Sequence, residues 1–174
     1  MNRRRLLVAF AAFALAGCAT VDVADYSSAR PVLDLARYFD GTVDGWGMFQ
    51  DRSGRVVKRF HVRIDAKWEG NAGTLDEHFE YSDGTKERRV WKLVRDGDRY
   101  TGTAGDVVGT AQGRASGNAL HWQYVLALPV DGRTWHVDMD DWMFLIDETT
   151  LLNRTTMSKF GVKVGEVTLS FRRR

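Results

Sequence analysis

The chain has 174 residues, 28% charged and 44% hydrophobic, with 25 Lys and Arg against 23 Asp and Glu and a formal net charge of +2. That balance excludes a disordered or collagen-like chain and lacks the large basic excess of a nucleic-acid binder. A single cysteine, Cys18, excludes a disulfide framework.

Met1-Asn-Arg-Arg-Arg5 is a basic start, and Leu6 to Ala16 follows without a charge. This is the layout of a secretory signal peptide. A membrane-spanning helix needs ~17–25 apolar residues, more than this run supplies before Thr20, Asp22 and Asp25. Leu15-Ala16-Gly17-Cys18 is similar to the lipobox of bacterial lipoproteins, where the cysteine sulfur is acylated and the signal is cut just before it. Small Ala16 and Gly17 leave the backbone open to a peptidase, and a thiol is a good acyl acceptor. The alternative for Cys18 is an ordinary buried cysteine. Residues 1–17 are therefore expected as a signal peptide, 18–29 as a lipidated N-terminus and tether, and 30–174 as one domain. The resemblance also implies a location. Ala19, in place of Asp after the cysteine, points to the bacterial cell envelope at the periplasmic face of the outer membrane, held by palmitate-type acyl chains on Cys18. Loss of residues 1–17 removes Arg3, Arg4 and Arg5 but no acid, so 25 basic against 23 acidic residues becomes 22 against 23. No nucleic-acid partner is expected, and the Arg172-Arg173-Arg174 tail reads as a solvated end, with phosphate head groups as its alternative partner.

After the tether, Pro31 is placed to occupy a first helical turn. Val32, Leu35, Ala36 and Phe39 form one stripe, and Gly41 can end it, so one short N-terminal helix is expected. Beyond Gly41 the apolar period becomes two. Val56, Phe60, Val62, Ile64, Ala66 and Trp68 alternate with Arg55, Arg59, His61, Arg63, Asp65 and Lys67, the pattern of a half-buried strand. The alternation returns through Leu120 to Leu128, Trp135 to Met139 and Val167 to Phe171. Turn residues separate the runs at short intervals, among them Asp51 to Gly54, Ser82-Asp-Gly84 and Asp131-Gly132. No connection is long enough for a crossover helix. The expected fold is all-β: an antiparallel up-and-down meander of about 8–10 strands closed into a lipocalin-like barrel, since closure removes edges that invite aggregation. A two-layer sandwich is the alternative. Gly102, Gly105, Gly109 and Gly113 are candidate bending points. A transmembrane barrel fits poorly, because Arg59, His61 and Arg63 share a face and Lys86 to Arg95 is charged on both.

Phe39-Asp-Gly-Thr-Val-Asp-Gly-Trp-Gly47, Tyr81-Ser-Asp-Gly84 leading to Arg89-Val-Trp91, Asp140-Asp-Trp142, Asn153-Arg154, Met157-Ser-Lys-Phe-Gly161 and Val164-Gly165 together resemble the DUF3833 type of bacterial lipoprotein. The resemblance covers nearly all of the chain after Cys18. It implies export, a lipid anchor and a calycin-like fold, with no established activity.

No catalytic motif stands out: Cys18 is committed to lipid, and no G-x-S-x-G elbow is present. His61, His78, His121 and His136 lie on four strands without ligand spacing, so no metal or cofactor is expected, with a surface site between adjacent strands as the alternative. More informative are charges on apolar faces. Glu77 shares a face with Leu75, Phe79 and Tyr81; Asp141 with Trp135, Val137, Met139, Met143 and Leu145; Arg154 with Leu152. If those faces point inward, Arg154 is expected to pair with Asp141 or Glu77, either to satisfy buried charge or to hold a lipid head group. Trp142, Phe144 and Ile146 are as apolar as the odd positions, so a β-bulge after Asp140 would place Asp141 outside. Trp91, Trp122 and Trp135 are candidates to line a cavity together with Glu77, Asp141 and Arg154. Three functions follow: a membrane-anchored module binding a lipid, fatty acid or other apolar molecule; an accessory lipoprotein with a filled barrel that docks another envelope protein; and a lipid enzyme using Glu77 or Asp141. An open interior of a few hundred Å3 separates the first from the second.

Overall fold

The computed structural model describes residues 20–174. Cys18 and the signal-peptide residues lie outside them. Ten strands follow a short N-terminal segment: β1 Gly41–Asp51, β2 Val56–Glu69, β3 Ala72–Tyr81, β4 Lys86–Asp96, β5 Arg99–Thr103, β6 Val107–Ser116, β7 Ala119–Val130, β8 Arg133–Leu145, β9 Thr150–Lys159 and β10 Val162–Arg173. Each pairs antiparallel with its sequence neighbours, and β1 pairs with β10 from Val43–Arg173 to Asp51–Gly165, closing the barrel. The all-β, up-and-down barrel expected from the period-two pattern is the observed fold.

Alternation decides the inner face. On β2, Val62 and Ile64 are buried while Arg63 between them is exposed. Where the barrel wall passes closest to large inward rings the chain uses glycine: a Cβ on Gly113 would meet the Trp122 ring, and one on Gly102 the Leu93 side chain.

The connections after β2, β4, β6 and β8 lie at one end, which the N-terminal segment closes. A four-residue helix, α1 Leu35–Tyr38, is capped by Asp34, whose carboxylate accepts from the Arg37 N–H at 3.2 Å. Leu33, Leu35 and Phe39 are buried in the main core, with Phe39 edge-on to Phe171 at 5.5 Å. The helix is shorter than expected. It starts at Leu35 rather than at Pro31, because Asp34 supplies the cap and the preceding residue is tied down by Leu33 N–H donating to the Gly117 carbonyl at 2.8 Å. Val32, placed on the helical stripe by its spacing, is exposed.

The stretch expected as tether also lies partly on the barrel. Val23–Tyr26 forms a 3-10 turn with a capping box between Asp22 and Asp25, and Val23 is buried. Tyr26 packs edge-on against Trp142 at 6.0 Å and Phe144 at 5.1 Å on the outside of β8. This explains the strand whose two faces looked equally apolar. No bulge interrupts β8: its register with β7 and β9 is continuous, and Trp142 and Phe144 are an outer face covered by the N-terminal turn.

Candidate functional site

The barrel is not filled. A cavity of about 910 Å3 runs up from a floor that includes Leu35 and Phe39. It opens between the connections after β1, β3, β5 and β7, where Lys58, Tyr81, Asp106 and Pro129 line its mouth.

Its walls are mainly apolar and aromatic. Trp91 on β4 and Trp122 on β7 meet edge to face at 5.7 Å, and Tyr124 adds a second edge contact to Trp91 at 5.4 Å. Both tryptophans were expected here. Trp135 was too, but it stands at the rim, 45% exposed, and does not line the cavity. Its inward parity is correct, yet it lies at the start of β8, above the level where the opposite wall offers packing.

Two polar clusters interrupt the apolar wall. Asp141 is buried on β8, where its Oδ1 accepts from Thr155 Oγ1 at 3.0 Å and from Asn153 Nδ2, both on β9. Burial pushes its carboxyl up to about 7, and the two donors only partly offset that. Both bonds end on Oδ1, and Asp141 lines the cavity.

Glu77 on β3 faces Arg89 on β4 in the register of the hairpin, with 3.7 Å between Oε2 and Nη1. Burial pushes the Glu77 carboxyl up to about 7 as well, against the attraction of Arg89. Arg89 also donates Nε and Nη2 to Asp106, at 2.9 and 2.7 Å, and lies over the Phe79 ring. Burial opposes its charge, but the bonds to Asp106 and the charge of Glu77 hold it protonated.

Arg154, expected to pair with Asp141 or Glu77, is outside. Its side chain is 67% exposed and makes a two-pronged ion pair with Glu166 of β10, at 2.9 Å for each prong. The odd residues Leu151, Asn153, Thr155 and Met157 face inward, which sends Leu152 and Arg154 to solvent. Adjacent leucines at 151 and 152 concealed this parity. The guanidinium inside the barrel is Arg89, which the sequence reading missed. Its signal was present: a tight turn at Ser82-Asp-Gly84 sets Glu77 opposite Arg89 and Leu75 opposite Trp91.

Three of the four histidines pair singly with acids: His61 with Asp44, His78 with Asp76 and His121 with Asp140, each at 3.2 Å. Among the described residues no group of three or more His, Cys, Asp or Glu is placed to hold a metal ion.

Residues 12–173 match the family described as protein of unknown function DUF3833. The chain belongs to this family. No curated protein matches this DUF3833 chain. Among solved structures it is similar to a protein of unknown function from the DUF3598 family of Nostoc punctiforme, at 12% identity and a TM-score of 0.60, over 90% of this chain and 53% of that one. The DUF3833 chain thus spans about half of that relative, and the likeness is one of fold. A de novo designed fluorescence-activating β-barrel aligns over 82% of this chain and 99% of its own length, at 14% identity and a TM-score of 0.46.

Proposed function

We propose that this DUF3833 protein is a non-enzymatic binding module that holds one apolar or amphipathic small molecule of the lipid class in its barrel, in a bacterial cell envelope where acyl chains on Cys18 anchor it. The observation that carries the reading is the cavity: about 910 Å3 of continuous space, near the top of the ~300–1,000 Å3 typical of ligand sites, with mostly apolar walls and a few convergent polar groups. An accessory protein that only docks a partner has no use for that space, since an empty apolar interior forfeits packing. Each methylene moved from water into such walls contributes ~0.8 kcal/mol.

The polar clusters narrow the head group. Arg89 is already held by Asp106 and Glu77, so a ligand carboxylate or phosphate would have to displace them. Asp141 and Glu77, both titrating near 7, offer hydrogen bonds to a hydroxyl or ester and repel an anion once ionised. The arrangement favours a neutral, hydroxyl-bearing or ester head over a free fatty acid or a phospholipid. Glu77 and Asp141 stand on β3 and β8 of a ten-strand barrel, on opposite walls, which suits holding two ends of a polar head more than acid–base work at one atom.

The test is titration with the neutral probe N-phenyl-1-naphthylamine, followed by displacement with a monoacylglycerol and with oleate. The reading predicts saturable binding, stronger displacement by the monoacylglycerol and recovery of that lipid unhydrolysed. Met143→Trp, which fills the cavity, should weaken probe binding by about tenfold or more, while Arg154→Ala leaves it unchanged. Absence of saturable binding, or hydrolysis of the monoacylglycerol, would contradict it.

A further inference from the structure

The open rim has two unlike sides. The hairpins β1–β2, β9–β10 and β7–β8 are neighbours around the barrel, since the strand order runs β7, β8, β9, β10, β1, β2. Together they expose Val56, Val57, Val130, Trp135, Phe160 and Val162 at the mouth. Their tips, residues 51–57, 130–135 and 158–164, hold Arg52, Arg55, Arg133, Lys159 and Lys163 against Asp51 and Asp131, five cations to two acids, with Lys163 also donating to Glu166 at 2.6 Å. On the other side, residues 80–88 and 104–107 hold Glu80, Asp83, Glu87 and Asp106 against Lys86 and Arg88, four acids to two cations.

Phe160 is the extreme case. It sits at a hairpin tip with φ +53°, followed by Gly161 at φ +75°, a pair of left-handed residues for which Asn-Gly is the ordinary choice. An aromatic there is locally disfavoured, and at 88% exposed it gains no burial in return. A residue that breaks the local rule with no gain in the fold marks a functional position. Lys159 lies over its ring at 4.6 Å, with its Nζ also donating to the His136 carbonyl at 2.6 Å.

We infer that this arc of the rim docks on the surface of an anionic lipid bilayer, with Phe160 and Trp135 entering the head-group region and the flanking lysines and arginines meeting phosphate. Aromatic and aliphatic side chains ringed by Lys and Arg are the composition of surfaces that lie in a membrane interface. Protein interfaces instead deplete lysine and bring flat, continuous patches together, whereas here the apolar groups project from three separate tips. Docking this way sets the mouth of the cavity against the bilayer. The proposal stands on the rim alone and needs neither an anchor at Cys18 nor a bound molecule.

Among the described residues every strand and both helical turns lie between Val23 and Arg173, so the chain from residue 18 onward, carrying Cys18→Ser, contains all of the described fold. This unlipidated protein should float with vesicles of phosphatidylethanolamine and phosphatidylglycerol and not with phosphatidylcholine alone. Phe160→Asp should reduce the bound fraction by about tenfold or more, and about 0.5 M salt should weaken it further. Phe160→Asn, which suits the turn, should also lose vesicle binding while melting at or above the wild-type temperature, which separates docking from folding. Flotation that is absent, or indifferent to both substitutions, overturns the proposal. So does a Phe160-dependent dimer in sedimentation velocity without vesicle binding, which would make a second copy the occupant. Titration of the same variants with N-phenyl-1-naphthylamine reads the cavity independently, so either reading can fail while the other holds.

Discussion

Asp141 and Glu77 are acids that burial keeps protonated to about 7, well above their ordinary 3.8 and 4.5. A carboxyl whose pKa rises on folding binds its proton more tightly in the native state. Its contribution to stability is full below the unfolded pKa and is lost as pH rises through the folded one. Thermal melts should therefore show Asp141→Asn and Glu77→Gln removing a loss of stability that wild type suffers between roughly pH 4 and 7. Asp76 and Glu166, held low by hydrogen bonds from Arg88 and from Arg154, give the opposite slope in acid, so the variants and not the wild-type curve isolate the interior pair. A variant curve parallel to wild type through that window would contradict the assignment. Arg89→Met should cost about 1–3 kcal/mol in chemical denaturation, because it leaves buried Glu77 and part-exposed Asp106 without their donor, whereas exposed Arg154→Ala should change little. At this scale the sequence was half legible. Glu77 and Asp141 share faces with clear apolar partners, and both side chains line the interior. Arg154 follows two adjacent leucines that blur the parity, and Arg89 sits in the run Lys86 to Arg95, where charges on both faces hide the inward one.

Among the elements, strands were the most legible, because a half-buried strand writes its period directly into the sequence and short turns leave no other connectivity. β8 was ambiguous for a physical reason: Val137, Met139 and Leu145 face the interior, while Trp142 and Phe144 are covered from outside. A strand buried on both faces carries no alternation to read. The covering element, Val23–Tyr26, was hidden in a polar stretch that resembles a tether. Its docking rests on Tyr26 and on Gly117, where a side chain would collide with the Tyr26 carbonyl and where φ is +54°. Tyr26→Ala should cost about 1–2 kcal/mol and raise acrylamide quenching of tryptophan fluorescence as Trp142 opens to water. Gly117→Val should do the same more severely; unchanged quenching in both would show that the turn does not protect β8.

For the whole molecule, the N-terminal segment closes one end of the barrel, and the cavity opens at the other, amid the exposed rim. The described chain begins at the closed end, since Tyr26 and Leu33 meet Gly117 in the β6–β7 connection. An anchor on Cys18 would therefore hold the barrel by its floor, within a reach of at most roughly 17 Å from Val23, with its mouth turned away from the anchoring bilayer. If the rim also engages lipid, lipidated protein in one vesicle population should cluster it with a second, anionic population, seen as energy transfer between labelled vesicles, and Phe160→Asp should abolish that transfer. Closure of the barrel was legible in the sequence, but its emptiness was not. Aromatic residues that fill a core and aromatic residues that line a cavity obey the same alternation, and only the position of Trp91, Trp122 and Tyr124 around a common space distinguishes them.

Whether this space holds a molecule is decided by native mass spectrometry of the protein isolated gently from its host cells, with organic extraction of what it carries. We expect one defined neutral, hydroxyl- or ester-bearing lipid at one per chain, lost in Met143→Trp and retained in Arg154→Ala. A protein that emerges empty, and stays empty after incubation with monoacylglycerol, would contradict it.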